Sequence, residues 1–327
     1  MNLDWAPLVE IIHSHQRFML SSHVRPDADA LGSELGLAHL LKSLGKSVRI
    51  VNPSATPAHL LFLDPDRQAL KIGEGITPAE IADTDVHIVC DTSAWVQLQE
   101  VGNVLKTTLA KKVVIDHHVS SDNIGAREFK DITAAATGEL ICELAEVLDV
   151  PFSPVAATAV YCAIATDTGW FRFPSTTNRT MKHAGNLIAA GAEPHRLYSQ
   201  LYEQNTTSRL RLFGRVLTRI VVDGDGKLAY LWVALRDFRE TGAIPADTED
   251  LVNECLRIGG VQAAFIAIEQ NNQSVKVSFR SRITIDIAAV AERFNGGGHK
   301  QAAGAVIPGP LADVLAKVLP AMLQAVS

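Results

Sequence analysis

Val86–Cys90 and Lys112–Ile115 are short, largely apolar runs without alternation, and each stops at an aspartate. This feature constrains the fold most. A strand apolar on both faces must be covered on both, as in a parallel sheet layered between helices. The neighbouring sequence supplies those layers. Arg17–Ser22 reads as a strand, and Leu31–Leu44 as a helix with apolar positions at Leu31, Leu35, Ala38, Leu41 and Leu44. Gly45 stops that helix, and Ser47–Val51 is the next strand. Further helices are expected at Thr137–Leu148 and Pro154–Thr166, the second with Ser153 as N-cap and Pro154 at its first position. Strands alternating with helices place the chain in the α/β class, its N-terminal domain built on a mainly parallel sheet flanked by helices.

The pattern changes after the polar, basic stretch His195–Thr218, which reads as a helical linker. Beyond it, Arg219–Val222 and Leu228–Leu235 flank Asp223-Gly-Asp-Gly226, a hairpin signal. A helix is expected at Asp247–Ile258. A second hairpin runs from Val261–Glu269 to Val275–Arg280, another helix spans Asp286–Phe294, and a last one begins near Leu311. With 327 residues, about twice a usual single domain, two domains are expected. Their bounds are 1–194 for the larger, 195–218 for the linker and 219–327 for a smaller α/β domain, with a cleft between the two.

Composition narrows the function. Thirty Lys and Arg against 36 Asp and Glu give a formal net charge of −6, which argues against a protein held on long duplex nucleic acid by phosphate attraction. The longest nearly apolar run, Ala156 to Ala165, is far short of the roughly 20 residues that cross a bilayer. The N-terminus is acidic and lacks a basic secretion n-region, so no membrane association and a cytoplasmic location are expected. Cys90, Cys142, Cys162 and Cys255 are scattered and read as buried small side chains.

Four segments concentrate Asp and His where strands or helices end. They are His23-Val-Arg-Pro-Asp27-Ala-Asp29, Cys90-Asp91-Thr-Ser, Asp116-His117-His118 and Thr166-Asp167-Thr-Gly169. Any one could be a turn or a cap; four at the ligand-binding ends of α/β strands point to a site. Mixed imidazole and carboxylate donors suit Mn²⁺, Fe²⁺, Co²⁺ or Zn²⁺ better than Ca²⁺ or Mg²⁺. His23 and Asp27 can converge on one ion, Asp29 can reach a second, and Asp91 can bridge them. Two such cations about 3.5–4 Å apart can share a hydroxide and polarise a phosphoryl oxygen. In the second half, Ser278-Phe-Arg280-Ser281-Arg282 and Asn295-Gly296-Gly297-Gly298-His299-Lys300 offer cations and close backbone approach, a grip for a phosphate or nucleotide.

Taken in order, HVRPDADALGS, CDTS, IDHH, ATDTGWFRF, SFRSR and NGGGHKQAAG closely resemble the DHH phosphoesterase superfamily, in its branch with a C-terminal DHH-associated domain and its nanoRNase/pAp phosphatase type. The resemblance covers essentially the whole chain. It implies two divalent cations, with Mn²⁺ foremost, one held by His23, Asp27 and Asp91 and the other by Asp29, Asp91, His117 and Asp167. It also implies that Asp116 orients a histidine, that His118 faces the scissile phosphate, and that Arg280, Ser281, Gly296, Gly297, Gly298 and His299 hold the nucleotide. The expected substrates are short RNA oligonucleotides and pAp, and a homodimer is the assembly the resemblance suggests.

Rival readings within this chemistry are a linear or cyclic dinucleotide phosphodiesterase, a long-strand exonuclease and a pyrophosphatase; outside it stands a non-catalytic nucleotide-sensing or RNA-binding module. Arg25 reads equally as a phosphate contact or a solvated loop residue. His13, His15 and His39 read as surface or core residues, and Trp170, Phe171 and Phe173 as packing rather than base-stacking groups.

Overall fold

The structure, a computed structural model, describes residues 3–81, 83–282 and 285–327. It divides into two compact units, Met1–Gln204 and Asn205–Ser327. In the first, β1 (Arg17–Ser21), β2 (Ser47–Asn52), β3 (Ala69–Lys71), β4 (Val86–Cys90), β5 (Lys111–Asp116) and β6 (Arg127–Lys130) form one sheet in the order β3-β2-β1-β4-β5-β6. Every neighbouring pair is parallel. Alternate residues feed opposite cores. Phe18, Leu20, Ile88 and Ile115 pack with the helices Ala28–Ser43, Thr137–Leu148 and Pro154–Asp167. Met19, Val89 and Val114 meet Leu98, Val101 and Leu105 of the helix Trp95–Thr107 on the other face. This burial on both sides is why the strand sequences do not alternate.

The chain leaves β1 toward β2 on one side, and β4 lies on the other. The gap between β1 and β4 is therefore the point where strand order reverses, the usual ligand position in an open α/β sheet. Two helices meet beside it at very short range. A Cβ on Gly32 would lie 2.3 Å from the Ala159 carbonyl oxygen, and one on Gly138 would lie 2.9 Å from the Ala163 Cβ. Glycine is what lets the helices Ala28–Ser43 and Thr137–Leu148 approach the helix Pro154–Asp167 so closely.

The second unit holds a mixed sheet, β11-β12-β10-β9-β8-β7. Its strands are β7 (Val221–Asp223), β8 (Leu228–Val233), β9 (Ala263–Glu269), β10 (Ser274–Ser281), β11 (Gly297–His299) and β12 (Ala302–Pro308); only β8–β9 is parallel. Both expected hairpins form, and the C-terminal helix spans Leu311–Val326.

Three expectations need correction. The linker is two helices, Pro194–Tyr202 and Thr207–Leu217, because the Thr206 hydroxyl accepts the Arg209 N–H and starts a new helix. The helix expected at Asp247–Ile258 is a 3₁₀ turn, Pro245–Thr248, and a single turn, Asn253–Leu256. There, the Asp247 carboxylate accepts the Ile244 N–H and Asp250 adopts φ +63°, so polar side chains compete with helical bonding. The expected helix Asp286–Phe294 shortens to Ala288–Glu292, and the glycine run after it enters the hairpin β11–β12.

Candidate metal centre

His23 follows β1, and Asp27 begins the helix after it. One Asp27 oxygen accepts the N–H groups of Asp29 and Ala30, each at 3.0 Å, which makes Asp27 the N-cap. Asp29 is buried, and its carboxylate accepts the N–H of Thr137 at 2.7 Å and of Gly138 at 2.9 Å. Asp91 follows β4 with φ +62°, its own N–H donating to the Ile115 carbonyl. A left-handed non-glycine residue is strained and is held only where surrounding contacts demand it. Here the bend turns a buried carboxylate between two histidines. Its Oδ2 lies 3.5 Å from His23 Nε2, and its Oδ1 lies 3.6 Å from His117 Nε2 and accepts the Thr137 hydroxyl at 2.8 Å.

At the end of β5, His117 Nδ1 meets the Ala134 carbonyl at 3.2 Å. Donation there leaves Nε2 as the bare nitrogen, 3.7 Å from Asp29 and 3.5 Å from Asp167. Asp167 closes the helix Pro154–Asp167, whose negative C-terminal end adds to the site's attraction for cations. Asp116 is fully buried and accepts both the backbone N–H of His118 (3.0 Å) and its Nδ1–H (2.8 Å). The Ser93 hydroxyl at 2.8 Å and the Lys130 ammonium at 3.2 Å hold its other oxygen. The His118 ring is thus fixed while half its surface remains exposed.

Among the described residues, three sets of donor atoms lie within 4.8 Å of one another: His23, Asp27 and Asp91; Asp29, His117 and Asp167; and Asp91, His117 and His118. Donors about 2.1 Å from one cation stand about 3.0–3.4 Å apart in octahedral or tetrahedral shells. The histidine–carboxylate separations of 3.5–3.8 Å need less than an ångström of contraction. The donor set therefore fits divalent transition ions. Burial, then repulsion from Asp91 and Asp167, pushes Asp29 well above the ordinary carboxylate range. Burial also raises Asp167, to about 6, although His117 partly offsets it. Burial opposes charge on His23, but the carboxylates of Asp27 and Asp91 outweigh it and lift its pKa to about 11. Protons are crowded onto this cluster in a way that bound cations would relieve.

Several supporting residues carry no sequence motif. Thr137 and Gly138 tie Asp29 and Asp91 together. Asn52 accepts the Ser22 N–H beside His23 and donates to Glu34, a carboxyl that burial raises to about 8. These become visible only when distant segments meet. The residues expected to be inert behave so: His39 Nε2 lies 3.1 Å from the Pro151 carbonyl and 3.2 Å from the Ser153 nitrogen, and all four cysteines are free and buried. Trp170 packs edge-on against Tyr198 and Tyr202, with ring centres 5.1 and 5.6 Å away, while Phe173 is half exposed. The Arg25 side chain is exposed, and its backbone N–H donates to Ser54.

In the second unit, Arg280 pairs with Ala302, and Ala302 pairs with His299. Directly opposed residues share a face, so Arg280 and His299 stand in one row, about 10 Å apart, with only a methyl between them. Ser281 is buried, and its hydroxyl donates to the Ile285 carbonyl at 2.6 Å. The glycines divide in role. A Cβ on Gly296 or Gly298 would strike β12 backbone at 2.2–2.6 Å, whereas Gly297 faces open space.

Comparison with known proteins places both halves. Residues 17–164 match the model for the DHH family, N-terminal domain, and residues 225–327 match the DHHA1 domain. The chain is 30% identical over 92% of both sequences to a Bacillus subtilis protein named bifunctional oligoribonuclease and PAP phosphatase NrnA. It is 31% identical to the Thermus thermophilus protein of that name, over 89% of this chain and 84% of that one. A Geobacillus thermodenitrificans protein named cyclic-di-AMP phosphodiesterase GdpP is 28% identical over 89% of this chain and 45% of its own length. Among solved structures, an exopolyphosphatase-related protein from Bacteroides fragilis superposes with a TM-score of 0.84 at 27% identity, covering 97% of this chain and 94% of that one.

Proposed function

The chain belongs to the DHH phosphoesterase family of hydrolases, and from that premise we propose that it cleaves short oligoribonucleotides to nucleoside monophosphates and removes the 3′-phosphate of pAp. The observation that carries this reading is the convergence of donors from four distant segments into adjoining groups linked through Asp91 and His117. In it, His23, Asp27 and Asp91 hold one cation, and Asp29, Asp91, His117 and Asp167 hold the other; Mn²⁺ is the ion we infer. When bound, such a pair neutralises phosphoryl charge and makes water a better nucleophile.

The protein's own groups then have distinct tasks. Asp116 keeps the His118 ring fixed through Nδ1, so Nε2 is the nitrogen presented to a phosphate, where it steadies charge or protonates the leaving oxygen. In the second domain, Arg280 and His299, in one row beside the open Gly297 backbone, are the groups we assign to nucleotide binding. A net charge of −6 suits substrates short enough to be held at their ends. We infer a cytoplasmic setting and a homodimer; among the described residues no helix is long and apolar enough to cross a membrane.

The test is a panel of pApA, pAp, cyclic di-AMP and a 24-residue RNA with Mn²⁺, repeated after chelation. Rapid release of AMP from pApA and pAp, abolished by chelator and restored by Mn²⁺, is the expected result. No turnover of either would overturn the proposal. Similarity to the cyclic-di-AMP phosphodiesterase favours a second reading, and hydrolysis of cyclic di-AMP alone would select it.

A further inference from the structure

Residues Asp131 to Glu139 connect β6 to the helix Thr137–Leu148 and contact three candidate ligands. The Ala134 carbonyl fixes His117 Nδ1, the N–H groups of Thr137 and Gly138 hold Asp29, and the Thr137 hydroxyl holds Asp91. Both ends of this segment are anionic and poorly solvated. Asp131 caps its own turn by accepting the N–H and hydroxyl of Thr133. Glu139 accepts the Ala135 N–H at 3.2 Å, and its Oε1 finds no hydrogen-bond donor among the described residues.

One arginine spans both ends. Arg179 lies in the first turn of the helix Asn178–Ala189, which a reciprocal pair of bonds between Thr177 and Thr180 anchors. Its Nη1 donates to Asp131 Oδ2 at 2.7 Å. Its Nε lies 3.5 Å from Glu139 Oε2 and its Nη2 2.9 Å from Glu143 Oε1, both ion pairs off the hydrogen-bond direction. The guanidinium is thus a single cation set among three carboxylates, and a planar fork can serve widely separated oxygens where an ammonium cannot.

We propose that Arg179 is a positioning residue, which clamps the Asp131–Glu139 segment and thereby keeps His117, Asp29 and Asp91 in ligand geometry. Without it, Asp131, Glu139 and Glu143 repel, the turn loosens, and the backbone groups that orient the ligands drift. The inference rests on the metal-centre reading above but assigns a residue outside every motif of the sequence.

The experiment is calorimetric titration of the metal-free full chain with Mn²⁺, with thermal melting of each variant. Residues that support metal ligands typically change affinity by 10- to 100-fold. Arg179 acts one step further out, so Arg179→Ala should raise the Mn²⁺ Kd about tenfold, with kcat and the KM for pApA recovered at saturating Mn²⁺. Arg179→Lys, able to meet Asp131 or Glu139 but not both, should fall between. Glu143→Gln removes only the outer ion pair and should bind Mn²⁺ as the wild type does. Wild-type affinity in folded Arg179→Ala overturns the proposal; if that variant does not fold, wild-type affinity in Arg179→Lys does so. An equal loss in Glu143→Gln also overturns it, since the clamp would then have no special place. Failure of the wild type to bind Mn²⁺ is a separate result and removes the metal reading itself.

Discussion

Replacing Gly32 by alanine should harm this protein although alanine is the better helix former. The residue sits one turn after Asp29 on the helix Ala28–Ser43, against the helix that ends in Asp167. An added Cβ would stand 2.3 Å from the Ala159 carbonyl oxygen and 3.0 Å from the Ala163 Cβ. Ordinary contact needs about 3.4 Å, so the helices must part by roughly 1 Å, because backbone cannot rotate away as a side chain can. Overpacking of this kind costs about 1–3 kcal/mol, and the gain in helix propensity returns up to about 1 kcal/mol. A net loss of up to about 2 kcal/mol lowers Tm by up to about 8 °C in a domain of this size. Ligand distances tolerate only about 0.2 Å of error, so the same displacement should weaken Mn²⁺ binding by tenfold or more. The control is Gly185→Ala, on the exposed face of the helix Asn178–Ala189, where a Cβ meets nothing within 4 Å; that variant should gain stability. Thermal melts and Mn²⁺ titrations of both variants decide the matter. If Gly32→Ala melts at or above the wild type and binds Mn²⁺ equally, the idea that helix contact sets the Asp29–Asp167 geometry is wrong.

Arg280→Ala and His299→Ala should each raise the KM for pApA tenfold or more while leaving Mn²⁺ affinity unchanged; a matching loss of Mn²⁺ binding would contradict their assignment to the nucleotide grip. Chelation should lower the melting temperature of the wild type, since Asp29, Asp91 and Asp167 are left to repel one another, and excess Mn²⁺ should raise it with concentration. In the second domain, burial disfavours the charged form of Asp237, but Arg219, the Ala234 N–H and Arg215 outweigh it and hold the carboxyl at about 2. A depressed folded-state pKa stabilises above the unfolded value near 4 and ceases to do so as pH falls through 2. About 2 kcal/mol should therefore be lost across that window, and denaturant melts of Asp237→Asn should be weakened at pH 7 but less sensitive to acid.

Much of this was written locally. Strands buried on both faces announce themselves by unbroken apolar runs, and the Ser153-Pro154 helix start and the Asp223–Gly226 hairpin follow from backbone preferences of single residues. The candidate ligands were legible for a related reason: Asp and His at strand ends are costly to bury without a task, so their repetition is informative. Other features depended on which segments meet. The extent of the 247–258 region turned on capping by Asp247 and the left-handed Asp250, and a periodic pattern does not register such competition. Arg179, Glu34 and Thr137 meet partners 40, 18 and 46 residues away in the chain. Gly32 looks, in sequence, like any helix glycine.

Local sequence was enough for the α/β class and for singling out the candidate donor side chains, because hydrophobic periodicity and ligand chemistry are properties of residues taken a few at a time. It took the folded chain to place β1 between β2 and β4, so that His23 and Asp91 face each other across the reversal in strand order. Folding likewise puts Arg280 and His299 in one row of a sheet. Strand order and register are chosen by the packing of the whole core, in which each contact is worth little alone and the sum selects one arrangement.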